Sequence, residues 1–144
     1  MTKDKKFEKL DVYLANLEVG NIYLHNLHWN VEGFTFKAVH EYLEGLYDEF
    51  FEMLDAVAEY ERQKGVFPPA SLKEYLELSD LKERESKTVE AKEAIEKALE
   101  LIKHMKELAL EIREETECFV LSNMLEDHVT NYNKEIWFME SMLK

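Results

Sequence analysis

Apolar residues recur at intervals of three and four through four long stretches of the chain, the period of a helix with one buried face. In the first stretch Leu10, Leu14, Leu17, Leu24 and Val31 share a stripe, predicting a helix from about Lys6 to about Asn30 that Gly33 ends. In the second, Val39, Leu43, Leu46, Phe50, Leu54 and Val57 predict a helix beginning near Thr35 or Phe36, stopped by Gly65 and the Pro68–Pro69 pair. The third carries Ala91, Ile95, Ala98, Ile102, Met105, Ala109 and Ile112, and the fourth Leu121, Leu125, His128, Tyr132, Met139 and Leu143. A break between these two is required near 113–117, although neither glycine nor proline marks it. The run SLKE from Ser71 to Glu74 is a capping box and predicts a short helix ending at Leu78, while 78–88 is charged, aperiodic and reads as a connection. The elements predict an all-α four-helix bundle, with a short extra helix in the connection between helices two and three. That connection is long enough to carry a crossover.

Composition narrows the picture. Four glycines and two prolines in 144 residues are too few for a turn-rich sandwich or barrel, and the length suits a single domain over 1–144. The net charge of −13 opposes non-specific phosphate contact and suits cationic cargo. Cys118 is the only cysteine, so no internal disulfide forms and a cytoplasmic setting is the simplest reading. The first ten residues, MTKDKKFEKL, lack the apolar segment of a signal peptide, and no apolar run is long enough to span a membrane.

Candidate chemistry lies in LHNLHWNVEG and along helix two. With Val39, Phe50 and Val57 facing the core, His40, Glu44, Asp55 and Glu59 form one stripe on a face their own bundle does not need, with Phe51 and Ala58 on the same side. Such a stripe is either a solvated charged face or a set of ligands, and an outward phenylalanine hints at a protein interface. Glu44 and Asp55 are eleven residues apart, about 16 Å along a helix axis, so the two pairs cannot share a metal within one chain. If all are ligands, two chains must meet antiparallel across a twofold axis. From its own stripe His28 reads as a core histidine, as does His128; His104 reads as solvated, and the remaining tyrosines and tryptophans as core fillers. No Glu is followed three residues later by His, which disfavours an ordinary di-iron centre inside the bundle.

The text HNLHWNVEGFTFKAVHEYLEGLYDEFFEMLDAVAEYE, with PPASLKEYLELS and LEDHVTNYNKEIWFMESML, resembles the Dps family, the mini-ferritins of the ferritin-like superfamily. The resemblance covers most of the chain. It implies a ferritin-like bundle, a hollow homododecamer, and a ferroxidase that oxidises Fe(II), typically with hydrogen peroxide, and stores Fe(III) inside, protecting against oxidative stress. It implies an iron site between twofold-related subunits, with His28 and His40 from one subunit and Asp55 and Glu59 from its partner. Glu59 is the implied bridge, Asp55 and His28 hold the tighter iron, and His40 and Glu44 reach the second iron directly or through water. Trp29 matches a tryptophan beside the site that intercepts radicals. Two features depart from the family pattern. Phe119 and Asn123 stand where pore-lining acids are expected, with Glu114, Glu115 and Glu117 nearby. A basic DNA-binding tail is reduced to Lys3, Lys5 and Lys6 around Asp4, so DNA binding is expected to be weak. The competing readings are a nucleoid-compacting DNA-binding protein and a helical interaction module with a solvated acidic face.

Overall fold

The computed structural model describes residues 7–144. Its helices are α1 (Glu8–Asn30), α2 (Phe36–Gln63), α3 (Leu72–Leu78), α4 (Ala91–Glu115) and α5 (Phe119–Met142), with two two-residue strands, β1 (Val31–Glu32) and β2 (Val89–Glu90). The sequence-based bounds hold to within about two residues, and Lys6, the anticipated start of α1, lies outside the described residues. The predicted stripes are the buried ones: Leu10, Leu14, Leu17, Leu24, Leu43, Leu46, Phe50, Val57, Ile102, Met105 and Leu125 belong to one apolar core.

Gly33, at φ 123°, turns the chain from α1 into α2 in a backbone conformation that side chains resist. The two helices then pack antiparallel and close. A Cβ on Gly20 would come within 2.7 Å of the Phe50 ring, so a glycine is what allows this approach. Between α4 and α5 the chain breaks at 116–118. Thr116 is extended at φ −85°, ψ 139°, and its hydroxyl accepts from the Cys118 N–H at 3.1 Å. This local bond does the work of the missing glycine or proline.

The strands were not anticipated, and they define the topology. β1 follows α1 and β2 precedes α4, and they pair in parallel through Val31 with Val89 and Glu32 with Glu90. Helices α2 and α4 therefore start at the same end of the bundle and run in parallel, so the connection must travel the bundle's length. It is fastened along the way. Ser71 caps α3 by accepting from the Glu74 N–H at 3.2 Å. Buried Asn16 donates to Asp80 at 2.8 Å and accepts from the Ser79 hydroxyl at 2.7 Å. Arg84 donates to the Asn26 side chain and to the carbonyls of Glu85, Lys87 and Thr88. His104, anticipated as solvated, holds Asp80 at 2.9 Å. Burial alone would raise the Asp80 carboxyl, but the bonds from His104 and Asn16 outweigh it and hold the group below its ordinary range.

The core histidine reading suits His128. It is 7% exposed, and its Nδ1 lies 2.8 Å from the Tyr13 hydroxyl, which in turn lies 2.6 Å from that of Tyr132. Burial lowers its pKa to about 4, so the ring is neutral and joins the two phenols in one buried hydrogen-bonded chain. Trp137 departs from expectation: it is 64% exposed, beside Phe138 on the outer side of α5. Among the described residues no helix is long and apolar enough to cross a membrane.

Candidate metal centre

His28 ends α1 and His40 lies one turn into α2, and the close α1–α2 packing brings their rings face to face, centroids 3.6 Å apart and 12° from parallel. Each ring is fastened to the other's backbone. His28 Nδ1 lies 2.6 Å from the His40 carbonyl oxygen, and His40 Nδ1 lies 2.8 Å from that of His28. A carbonyl oxygen can only accept, so both Nδ1 atoms carry the hydrogen, and in the neutral form of either ring the free lone pair is the one on Nε2. The His28 carbonyl belongs to the last turn of α1, where helical partners run out, and His40 supplies the missing donor. His28 is buried; burial pushes its pKa down, the bond to the His40 carbonyl and the Glu44 charge oppose this, and the neutral form is favoured at neutral pH. Its Nε2 points towards Glu44, 4.0 Å from Oε1.

Asp55 and Glu59 lie about three to five turns further along the same unbroken helix, both exposed. They are hydrogen-bonded to each other, and this bond together with the Asp55 charge raises the Glu59 pKa above its ordinary value. Two carboxylates on adjacent turns, one raising the other's pKa, favour a cation between them. The straight run of α2 separates them from the histidines: among the described residues of one chain no group of three or more His, Cys, Asp or Glu is gathered as a metal ion requires. The six candidate positions therefore fall into two groups, His28, His40 and Glu44 at one end and Asp55 and Glu59 at the other, with Trp29 beside the first. Phe51, 65% exposed, lies on the intervening surface.

Two further residues join the histidine end. His25 stacks on Tyr47 with centroids 3.7 Å apart, and Tyr47 meets the His28 ring edge-on at 5.1 Å. Trp29, 69% exposed, lies 5.1 Å from the His25 ring. The signal was available in the sequence, since His25 and Trp29 are four apart on α1, but Tyr47 reaches them only through the packing of α2. At the start of α5, Phe119 and Asn123 are both exposed where acids were expected.

The model of the ferritin-like domain matches residues 8–144. The chain is 32% identical over 143 residues to the DNA protection during starvation protein of Helicobacter pylori, covering 96% of this chain and 99% of that one. The chain belongs to the Dps branch of the ferritin-like family. It is also 34% identical over 140 residues to antigen TpF1 of Treponema pallidum, covering 95% of this chain and 79% of the antigen. The crystal structure of that antigen superposes with a TM-score of 0.93 at 32% identity, over 96% of this chain and 91% of the other. The X-ray structure of Dps from Listeria monocytogenes gives a TM-score of 0.89 at 28% identity, over 99% and 95%. The fold and the crossover are thus those of Dps proteins, including the short helix between the second and third long helices.

Proposed function

We propose that the protein is an iron-sequestering ferroxidase, taking Fe(II) as substrate, oxidising it with hydrogen peroxide and storing Fe(III) inside a hollow homododecamer in the cytoplasm, which protects the cell from oxidative stress. The observation that carries this reading is the reciprocal tethering of His28 and His40. It leaves two Nε2 lone pairs free beside the Glu44 carboxylate, a nitrogen and oxygen donor set suited to iron. The Asp55–Glu59 pair is the complementary half, drawn from a second subunit packed antiparallel across a twofold axis. Glu59 bridges two irons, Asp55 and His28 bind the tighter one, and His40 and Glu44 serve the second. Peroxide takes one electron from each of two ferrous ions, so no free hydroxyl radical forms. Trp29, exposed beside the histidines, intercepts oxidants that escape this pairing. The Helicobacter pylori relative is named for DNA protection, but a net charge of −13 disfavours phosphate contact, so protection here acts through iron and peroxide.

Subunit mixing tests the shared site. A variant lacking His28 and His40 and a variant lacking Asp55 and Glu59 are each expected to be inactive, because each assembly keeps half of every site. Dissociated, mixed and reassembled, unlike neighbours restore one complete site per pair, and peroxide-dependent iron oxidation returns to a fraction of the parent rate. No recovery in particles shown by native mass spectrometry to be mixed refutes the inter-subunit site.

A further inference from the structure

The geometry points to Tyr47 as the terminal electron donor of a short relay, Trp29–His25–Tyr47, that supplies the missing electron when a peroxide meets a single ferrous ion. Three observations carry it. First, the rings form a continuous series: Trp29 to His25 at 5.1 Å, and His25 stacked on Tyr47 at 3.7 Å and 21°. Second, the series is clamped by one residue. The Asn21 carbonyl lies 2.8 Å from His25 Nδ1, and the Asn21 side chain donates to the Tyr47 carbonyl at 2.7 Å. A clamp binding both partners holds a stack in register, which burial alone does not require. Third, the relay runs from an exposed ring to a half-buried phenol, kept protonated by its burial and by the Glu44 and Asp48 charges, and the same negative charges favour its loss of an electron.

The assignment of the oxidant and of Trp29 as first donor rests on the function proposed above; the relay itself does not. With two ferrous ions the two electrons that peroxide needs are both at hand. With one, the deficit is met by the protein. Trp29 gives up an electron, and Tyr47 refills it through His25, losing its phenolic proton to solvent: Trp radical cation plus tyrosine gives tryptophan, tyrosyl radical and a proton. The overall balance is Fe(II) + H2O2 + tyrosine + H+ giving Fe(III) + tyrosyl radical + two water molecules. His25 is not oxidised; it is a positioning residue that bridges the two rings.

Pulse radiolysis of the metal-free protein with azide radical, an oxidant selective for tryptophan, tests the relay without any iron. A Trp137→Phe background leaves Trp29 as the only tryptophan. The tryptophan radical should decay as a tyrosyl radical grows in, at a rate independent of protein concentration. Tyr47→Phe, which keeps the ring against His25, should abolish that growth and prolong the tryptophan radical. His25→Leu should slow it, and Tyr23→Phe, outside the stack, should change nothing. Tyrosyl growth that survives in Tyr47→Phe overturns the proposal. Should that variant fail to fold, spin trapping in the parent followed by peptide mapping decides: an adduct on residue 47 supports the relay, and one confined to another tyrosine overturns it. A second arm adds substoichiometric ferrous ion and peroxide, read by freeze-quench electron paramagnetic resonance. Transfer after azide oxidation with no protein radical in this arm keeps the relay and counts against the iron chemistry instead.

Discussion

At the amino-terminal end of α2, His40 is stacked on His28 and tied to its backbone, whereas towards the carboxy-terminal end Asp55 and Glu59 stand exposed with each other as hydrogen-bonding partners. The first group is preorganised by its own chain. Two helices, two carbonyls and one tautomer fix both imidazoles before any ligand arrives. The second group is held only by the helix that carries it, and its like charges favour a proton or a cation between them. One half of the candidate centre is therefore a product of folding within the subunit, and the other waits for something outside it. The division has a physical basis: imidazole can be buried neutral, while a pair of carboxylates buried without a cation is costly.

The largest expected effect breaks the carboxylate half alone. Asp55→Asn combined with Glu59→Gln should nearly abolish peroxide-dependent iron oxidation in stopped flow, with helix content unchanged and thermal stability equal or slightly raised, since a like-charge contact is removed. His28→Ala breaks the other half and should behave differently. It should lose iron oxidation and also roughly 2 kcal/mol of stability, because a buried ring and a hydrogen bond to a carbonyl go together. Equal melting temperatures for these two variants would erase the distinction drawn above.

Gly20→Ala sharpens it from a distance. The added methyl meets the Phe50 ring at 2.7 Å and must push α1 from α2. Overpacking of this kind costs about 1–3 kcal/mol. It should also loosen the His28–His40 contact while leaving Asp55 and Glu59, one turn apart on a single helix, in place. Nuclear magnetic resonance of the histidine ring protons would register the first effect.

Within the candidate centre the smallest effects are in pH, where the two halves have opposite signs. The lowered His28 pKa means that stability is complete above the ordinary value near 6.5 and is lost as pH falls through the folded value. The raised Glu59 pKa acts the other way: the folded state holds the proton more tightly, so stability declines as pH rises from the ordinary value near 4.5 through the folded value. His128 shares the His28 sign, and its shift from 6.5 to about 4 amounts to about 3 kcal/mol lost on acidification across that window. Melting curves of the parent, His128→Gln and Glu59→Gln from pH 4 to pH 7 would separate the three contributions. A parent whose stability does not fall on acidification contradicts the histidine assignments.

Much of this was legible in the residues. Helix positions followed from apolar spacing, because burial of one face is a local, periodic demand that any tertiary arrangement must meet. The unbroken helix carrying His40, Glu44, Asp55 and Glu59 was enough to exclude a one-chain centre, since axial rise is fixed by backbone hydrogen bonding. What spacing could not supply was any contact between elements distant in sequence. His28 read as a core residue from its stripe and is indeed buried; only the approach of α2 makes its burial a tether to His40. Tyr47, twenty-two residues from His25, gave no sign of stacking on it, and His104 gave none of holding Asp80. The parallel pairing of Val31 with Val89 joins segments that share no local pattern, yet it directs the connection along the bundle.

The sequence by itself determined the helices, the acidic surface and the stripe of candidate ligands, because each depends on residue type and on a repeat of 3.6 residues per turn. Tertiary structure alone decided which nitrogens are free. Each Nδ1 is committed by a carbonyl on the neighbouring helix, twelve residues away in the chain. A hydrogen bond between helices depends on their distance and rotation about each other, set here by the glycine contact at Gly20 and the turn at Gly33, and no periodicity within either helix encodes it.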